Sequence, residues 1–166
     1  MIIRGSSRPD ILREEVLADL FEATAARQPD HTALIFGDIR ISYGELDERA
    51  SLMAHHLIGR GVRPGHIVGL WLPRGIDLLV SQLAIAKTGA AWLPFDADTP
   101  VDRIAVCLED AQAIGIVSGH CLLAGLNDPG CPVWDQAGLL QATDAPLLRR
   151  HFFFNDTATT EIYTSG

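Results

Sequence analysis

The sequence predicts an α/β fold in which parallel strands alternate with helices, and three observations carry that expectation. From Ile67 onward, short apolar runs of strand length alternate with segments of helix length. Glycine, proline and hydroxyl residues fall at the junctions, where helix starts and stops call for them. The connecting segments are too long for hairpins, so successive strands should pair in parallel through right-handed crossovers.

Taken in order, Leu12, Val16, Leu17, Leu20 and Phe21 fall on one face of a helix over residues 12–27, and Pro29 stops it. Ala33–Phe36 and Ile39–Ile41 read as two short strands, and the Gly37-Asp38 pair between them has the composition of a tight turn. Ser42-Tyr43-Gly44-Glu45 then offers a hydroxyl at the N-cap and a carboxylate at the third helical position, each able to satisfy a backbone N–H. A second helix begins there, with Leu46, Ala50, Met53, Ala54 and Leu57 inward and Gly61 as its left-handed stop.

Beyond it, Ile67–Leu72 is a buried strand, Ile76–Lys87 a helix and Ala91–Phe95 a strand. Pro100–Gln112 is a helix capped by Thr99 with Pro100 at its first position, followed by strands at Ile114–Val117 and Val133-Trp134. Residues 119–146 are richer in Gly, Pro, Asn and Asp and should run near the surface. There is no internal repeat.

Bulk properties exclude several classes. A chain of 166 residues with 48% hydrophobic residues supplies one core. A net charge of −8, with only Arg149-Arg150 clustered, is the wrong electrostatic footprint for nucleic acid. The most apolar stretch, Ile76–Ala86, is broken by Asp77, Ser81 and Gln82, so no membrane span is expected. No signal-peptide core precedes Arg13, Glu14 and Glu15, so a cytoplasmic location is expected. Cys107, Cys121 and Cys131 lack C-x-x-C pairing and read as idle thiols.

Few residues invite a chemical role. Gly59-Arg60-Gly61-Val62-Arg63-Pro64-Gly65 has the glycines of a dinucleotide loop, but it lies after a helix and before a strand, the reverse of what that loop requires, so it reads as a helix stop. His55 and His56 are adjacent and cannot share a metal as an i, i+4 pair does. Asp96, Asp98 and Asp102 gather near a strand end, where capping and the positive end of a helix explain them. Thr164-Ser165-Gly166, after the β-like Ile162-Tyr163, has the flexible glycine and hydroxyls that let backbone N–H groups approach a phosphate, although any chain end of this composition looks similar.

Two stretches carry a family resemblance. Ile41-Ser42-Tyr43-Gly44-Glu45-Leu46 resembles the "(L/I)(T/S)YxEL" motif of adenylate-forming (AMP-binding) enzymes, and residues 86–96, AKTGAAWLPFD, resemble their "LKAGxAYLPLD" segment. With LADLFEATAARQPDHTAL before and DTPVDRIAVCLEDAQAIGIVS after, the similarity runs through residues 16–118 and is greatest to the N-terminal part of a nonribosomal peptide synthetase adenylation domain. The chain departs from the pattern at Ala86, Thr88, Trp92 and Phe95, which leaves acyl-CoA and aryl-CoA ligases of the same architecture open.

The resemblance implies the N-terminal portion of the adenylate-forming fold, cut short. In the intact enzyme it implies ATP and Mg2+, an amino-acid substrate, an aminoacyl-adenylate, and a partner carrier protein or downstream synthetase domain whose phosphopantetheine thiol takes the acyl group. The matched residues are structural, so no catalytic or metal residue is expected in this chain. Thr164, Ser165 and Gly166 match the opening of the family's phosphate loop, "YTSGxTGxPKG". Against this, Phe152–Thr164, FFFNDTATTEIYT, looks like translated sequencing-adapter DNA, and the break in composition at His151 favours that reading. The expected division is therefore residues 1–150, the adenylation portion, and residues 151–166, a tail of foreign character. The chain by itself should be inactive; a noncatalytic scaffold is the reading of another class.

Overall fold

The computed structural model describes residues 15–119, 122 and 128–141. Helix α1 spans Leu17–Arg27, so it starts later than the apolar pattern from Leu12 suggests. Val16 is extended and gives its N–H to Asp19 Oδ2 at 2.9 Å, an acidic cap that sets the first turn. Its inward stripe also differs from the expected one. Ala18 and Ala25 are buried and Phe21 packs on the main core, whereas Leu17 and Leu20 stay exposed. Small alanines allow close approach to α2 and α3.

Strands β1 (Thr32–Phe36) and β2 (Ile39–Ser42) form the antiparallel hairpin, with Gly37 at φ 59° in its turn. Helix α2 (Tyr43–Gly59) starts on Ser42, whose Oγ accepts the Glu45 N–H at 3.2 Å. The reciprocal half of the expected capping box is not made. Glu45 Oε1 instead accepts from Arg49 Nη2 at 2.6 Å, one turn on, where a full opposite charge outcompetes a neutral amide. At the other end Gly61 (φ 92°) donates to Ile58 O and Val62 to Leu57 O, the paired bonds that close a helix through a left-handed residue.

The remaining strands, β3 (Ile67–Trp71), β4 (Ala91–Phe95), β5 (Gly115–Ser118) and β6 (Val133–Asp135), form one sheet in the order β4-β3-β5-β6, with every pairing parallel. Helix α3 (Ile76–Lys87) joins β3 to β4 and α4 (Val101–Asp110) joins β4 to β5; a short α5 (Gln136–Leu139) follows β6. Pro94, which has no N–H to donate, sits on the edge strand β4. Helix α4 begins one residue later than expected, with Pro100 and not Thr99 at the N-cap. It also ends earlier: Gln112 turns left-handed at φ 50° and Ala113 N–H reaches back to Leu108 O.

The alternation along β3 divides the core. Val68, Leu70 and Leu72 join Met53, Leu57, Val80 and Ile85 on one face, and Trp71 joins Ile104, Leu108 and Ile116 on the other. Helices α2 and α3 thus cover one side of the sheet and α4 the other.

Candidate functional site

In an open parallel sheet, ligands sit at the carboxyl ends of the strands, where the chain's direction of progress reverses. Here the chain moves from β3 outward to β4, then crosses back to β5 and on to β6, so the reversal falls between β3 and β5. Register places Phe95, Trp71, Ser118 and Asp135 in one row across that end. Because Trp71 faces α4, and side chains at paired register positions share a face, the row lies on the α4 side.

The row changes character along its length. Trp71 Nε1 donates to Asp96 O at 2.9 Å, which pins the β4–α4 connection over the apolar half. Ser118 and Gln136 are buried, at 0% and 6% exposure. Ser118 Oγ, Asp135 Oδ1 and Gln136 Nε2 are all buried atoms without a hydrogen-bond partner among the described residues. Three such atoms at one end of one strand pair are unusual, since buried polar groups are nearly always bonded.

The other sequence candidates separate. Asp96, Asp98 and Asp102 are exposed, and only Asp102 lies in a first helical turn. Among the described residues no group of three or more His, Cys, Asp or Glu could hold a metal ion. The rings of His55 and His56 stand edge-on at 6.1 Å, with His56 Nε2 placed 3.1 Å from Gln141 O. The glycines of residues 59–65 close α2 and turn into β3, as their position predicts. Burial pushes the Cys131 thiol up and Cys107 is half-buried, both consistent with idle thiols; Cys121 lies outside the described residues. So do Thr164, Ser165 and Gly166.

Two features escape sequence reasoning. Lys87, expected only to close α3, is 5% exposed; its Nζ hydrogen-bonds Glu22 Oε1 and lies 2.8 Å from Asp47 Oδ1. The Asp47 oxygen makes an ion contact there without the alignment of a hydrogen bond. No local pattern announces these partners, since Glu22 is 65 positions away. The second is an apolar cleft of about 300 Å³ between α1, the hairpin and α3, lined by Phe21, Tyr43, Leu79, Gln82, Leu83 and Trp92 among others.

A parallel sheet with α2 and α3 on one face and α4 on the other defines an α/β domain, and comparison with known proteins gives the family. The chain belongs to the AMP-binding enzyme family, whose model matches residues 21–166. Within it the chain is similar to the N-terminal part of nonribosomal peptide synthetase adenylation domains.

It is 63% identical over 117 residues to delta-poly-L-ornithine synthetase of Acinetobacter baumannii (strain AB307-0294), covering 70% of this chain and 9% of that protein. It is 45% identical over 158 residues to a dimodular nonribosomal peptide synthase of Bacillus subtilis (strain 168), covering 90% of this chain and 6% of that one. Among solved structures it resembles NpsA-ThdA of Klebsiella oxytoca, an artificially fused adenylation–PCP di-domain, with a TM-score of 0.73, 27% identity, and coverage of 84% of this chain and 27% of that chain. The chain therefore spans less than a tenth of the length of these two relatives.

Proposed function

We propose that this chain is the N-terminal part of an adenylation domain which, in the intact enzyme, activates an amino acid with ATP and loads it on a carrier protein. The supporting observation is the four-stranded parallel sheet in the order β4-β3-β5-β6, in a chain similar to an adenylation–PCP di-domain. In the first step a substrate carboxylate oxygen attacks the α-phosphorus of ATP, the bond to the β-phosphate breaks, and pyrophosphate leaves. In the second, a phosphopantetheine thiol attacks the acyl carbon and AMP leaves.

Charge develops on phosphate oxygens, so the intact enzyme needs backbone donors, Mg2+ and cations held in place. Thr164, Ser165 and Gly166 stand where the family's phosphate loop opens. Asp96, Asp98 and Asp102 are exposed, and among the described residues no group of three or more His, Cys, Asp or Glu forms a metal site; the family resemblance implies Mg2+ ligands in the remainder of the enzyme. Residues 1–150 are the adenylation portion in this reading, and residues 151–166 are the foreign tail whose last residues imitate the loop. Resequencing codons 145–166 tests that division.

ATP–pyrophosphate exchange, measured on this chain and on the intact gene product, tests the function. Exchange by the intact protein and none by this chain is expected. Turnover of ATP with a carboxylic acid by this chain alone would overturn the reading. Inactivity of both would point to a noncatalytic scaffold, and transfer to free coenzyme A in preference to a carrier thiol would point to an acyl-CoA or aryl-CoA ligase.

A further inference from the structure

We propose that α1 is a strap across the apolar cleft, hinged at Gln28-Pro29 and clasped by the Lys87–Glu22 ion pair, and that it opens as a unit while the sheet, α2 and α3 stay folded. Such a device belongs to the packing of this chain and is independent of the reaction assigned above.

Four observations converge on it. Little apolar surface holds α1 down: its buried side chains are Ala18 and Ala25, Phe21 is half-buried, and Leu17 and Leu20 are 55% and 42% exposed. By contrast α2 buries Leu46, Met53 and Leu57, and α3 buries Val80 and Ile85. Alanine gains little on leaving water, so α1 owes a larger share of its hold to polar contact. That contact is the second observation, since Lys87 reaches the middle turn of α1 at Glu22 from a site nearly closed to water. Third, the chain just beyond α1 is fastened separately. Gly44 N–H donates to Pro29 O and Tyr43 N–H to His31 O, both at 2.9 Å, while Gln28, at φ −140° and ψ 58°, has left the helical conformation. Fourth, the clasp adjoins the cleft: Glu22 follows the lining residue Phe21, Asp47 follows Leu46, and Lys87 lies one turn beyond Leu83.

The second acid explains why the strap can part from the rest. Asp47 lies 2.8 Å from Lys87 and joins α2 to α3 without involving α1, so the lysine keeps a counter-charge when Glu22 leaves. A buried cation stranded alone would make that step far more costly. Isolated helices shorter than about 12 residues are marginal in water, and α1 has 11 residues. Released from its clasp, α1 therefore lifts and unwinds together, and loss of the wall formed by Leu17 and Phe21 opens Tyr43, Leu83 and Trp92 to water.

Hydrogen–deuterium exchange of the 166-residue chain, resolved by peptide mass spectrometry, tests the strap. In the unsubstituted chain the amides of residues 21–27 should be protected at least about tenfold less than those of residues 68–70 in β3, because they open without the sheet. Equal protection would mean that α1 opens only with the whole molecule, and overturns the proposal. Glu22→Gln and Lys87→Met should each speed exchange in α1 by about fivefold or more, since both break the clasp. Acceleration by Glu22→Gln alone would assign the hold to another partner of that side chain and overturn the clasp, as would no change in either variant. Asp47→Asn removes a contact that stays made when α1 alone opens, so exchange in α1 should remain within about twofold whatever happens in β3. A comparable acceleration of α1 there would make the three residues one structural unit, and that too overturns the strap. If Lys87→Met does not fold, Lys87→Gln takes its place.

Discussion

At the end of α3, one lysine ties three helices together. Lys87 meets Glu22 of α1 and Asp47 of α2 from a site nearly closed to water, while the two carboxylates keep 25% and 34% of their side-chain surface exposed. Lys87→Met should therefore cost about 2 kcal/mol, less than the roughly 3–5 kcal/mol of a fully buried pair, because water still reaches the stranded acids. Urea denaturation measures it, and adding Glu22→Gln should restore part of the loss. Gly115 is constrained by shape instead of charge. A Cβ there would lie 2.6 Å from the Trp134 ring, which is rigid and buried, so Gly115→Ala should cost about 1–3 kcal/mol and shift the tryptophan emission. Neither residue is legible in the sequence. A lysine in a last helical turn and a glycine before an apolar run have ordinary local explanations, and their partners are set only when distant segments meet.

Helix ends are the most legible elements in the sequence, yet the bounds of α1 and α4 in the structure differ from the local pattern. Ser42 was expected to cap α2 and does, because a hydroxyl three residues before a free N–H is a local relation that tertiary packing need not supply. Ser42→Ala should lower stability by about 1 kcal/mol, visible in thermal melts followed by circular dichroism. The pattern carries α4 through Gln112, but the helix ends at Asp110 and Gln112 turns left-handed. Since glycine adopts that backbone without a Cβ penalty, Gln112→Gly should stabilise the chain by up to about 1 kcal/mol in the same assay. The apolar period points Leu17 and Leu20 inward on α1, but packing against α2 and α3 buries Ala18 and Ala25 instead.

For the whole molecule, the described residues leave apolar surface open to solvent. Ile35, Phe36 and Ile39 on the hairpin and Val106 on α4 are more than half exposed, and β4 and β6 are the outer strands of the described sheet. A net charge of −8 opposes association but does not cover these groups. The chain should self-associate as its concentration rises in sedimentation velocity, and Phe36→Glu with Ile39→Lys should reduce this while leaving the far-ultraviolet circular dichroism unchanged.

The sequence by itself determined the order and type of the elements from α1 to β6, the caps that start α2 and end it, and the family, because each rests on period, local hydrogen bonding or a contiguous motif. It missed α5 and the burial of Trp134, Gln136 and Leu139 in a stretch read as surface. Tertiary structure alone decided the strand order, the burial of Lys87 between two acids and the row of polar groups at Ser118 and Asp135. Those depend on which segments lie side by side in space, and a one-dimensional pattern carries no such information.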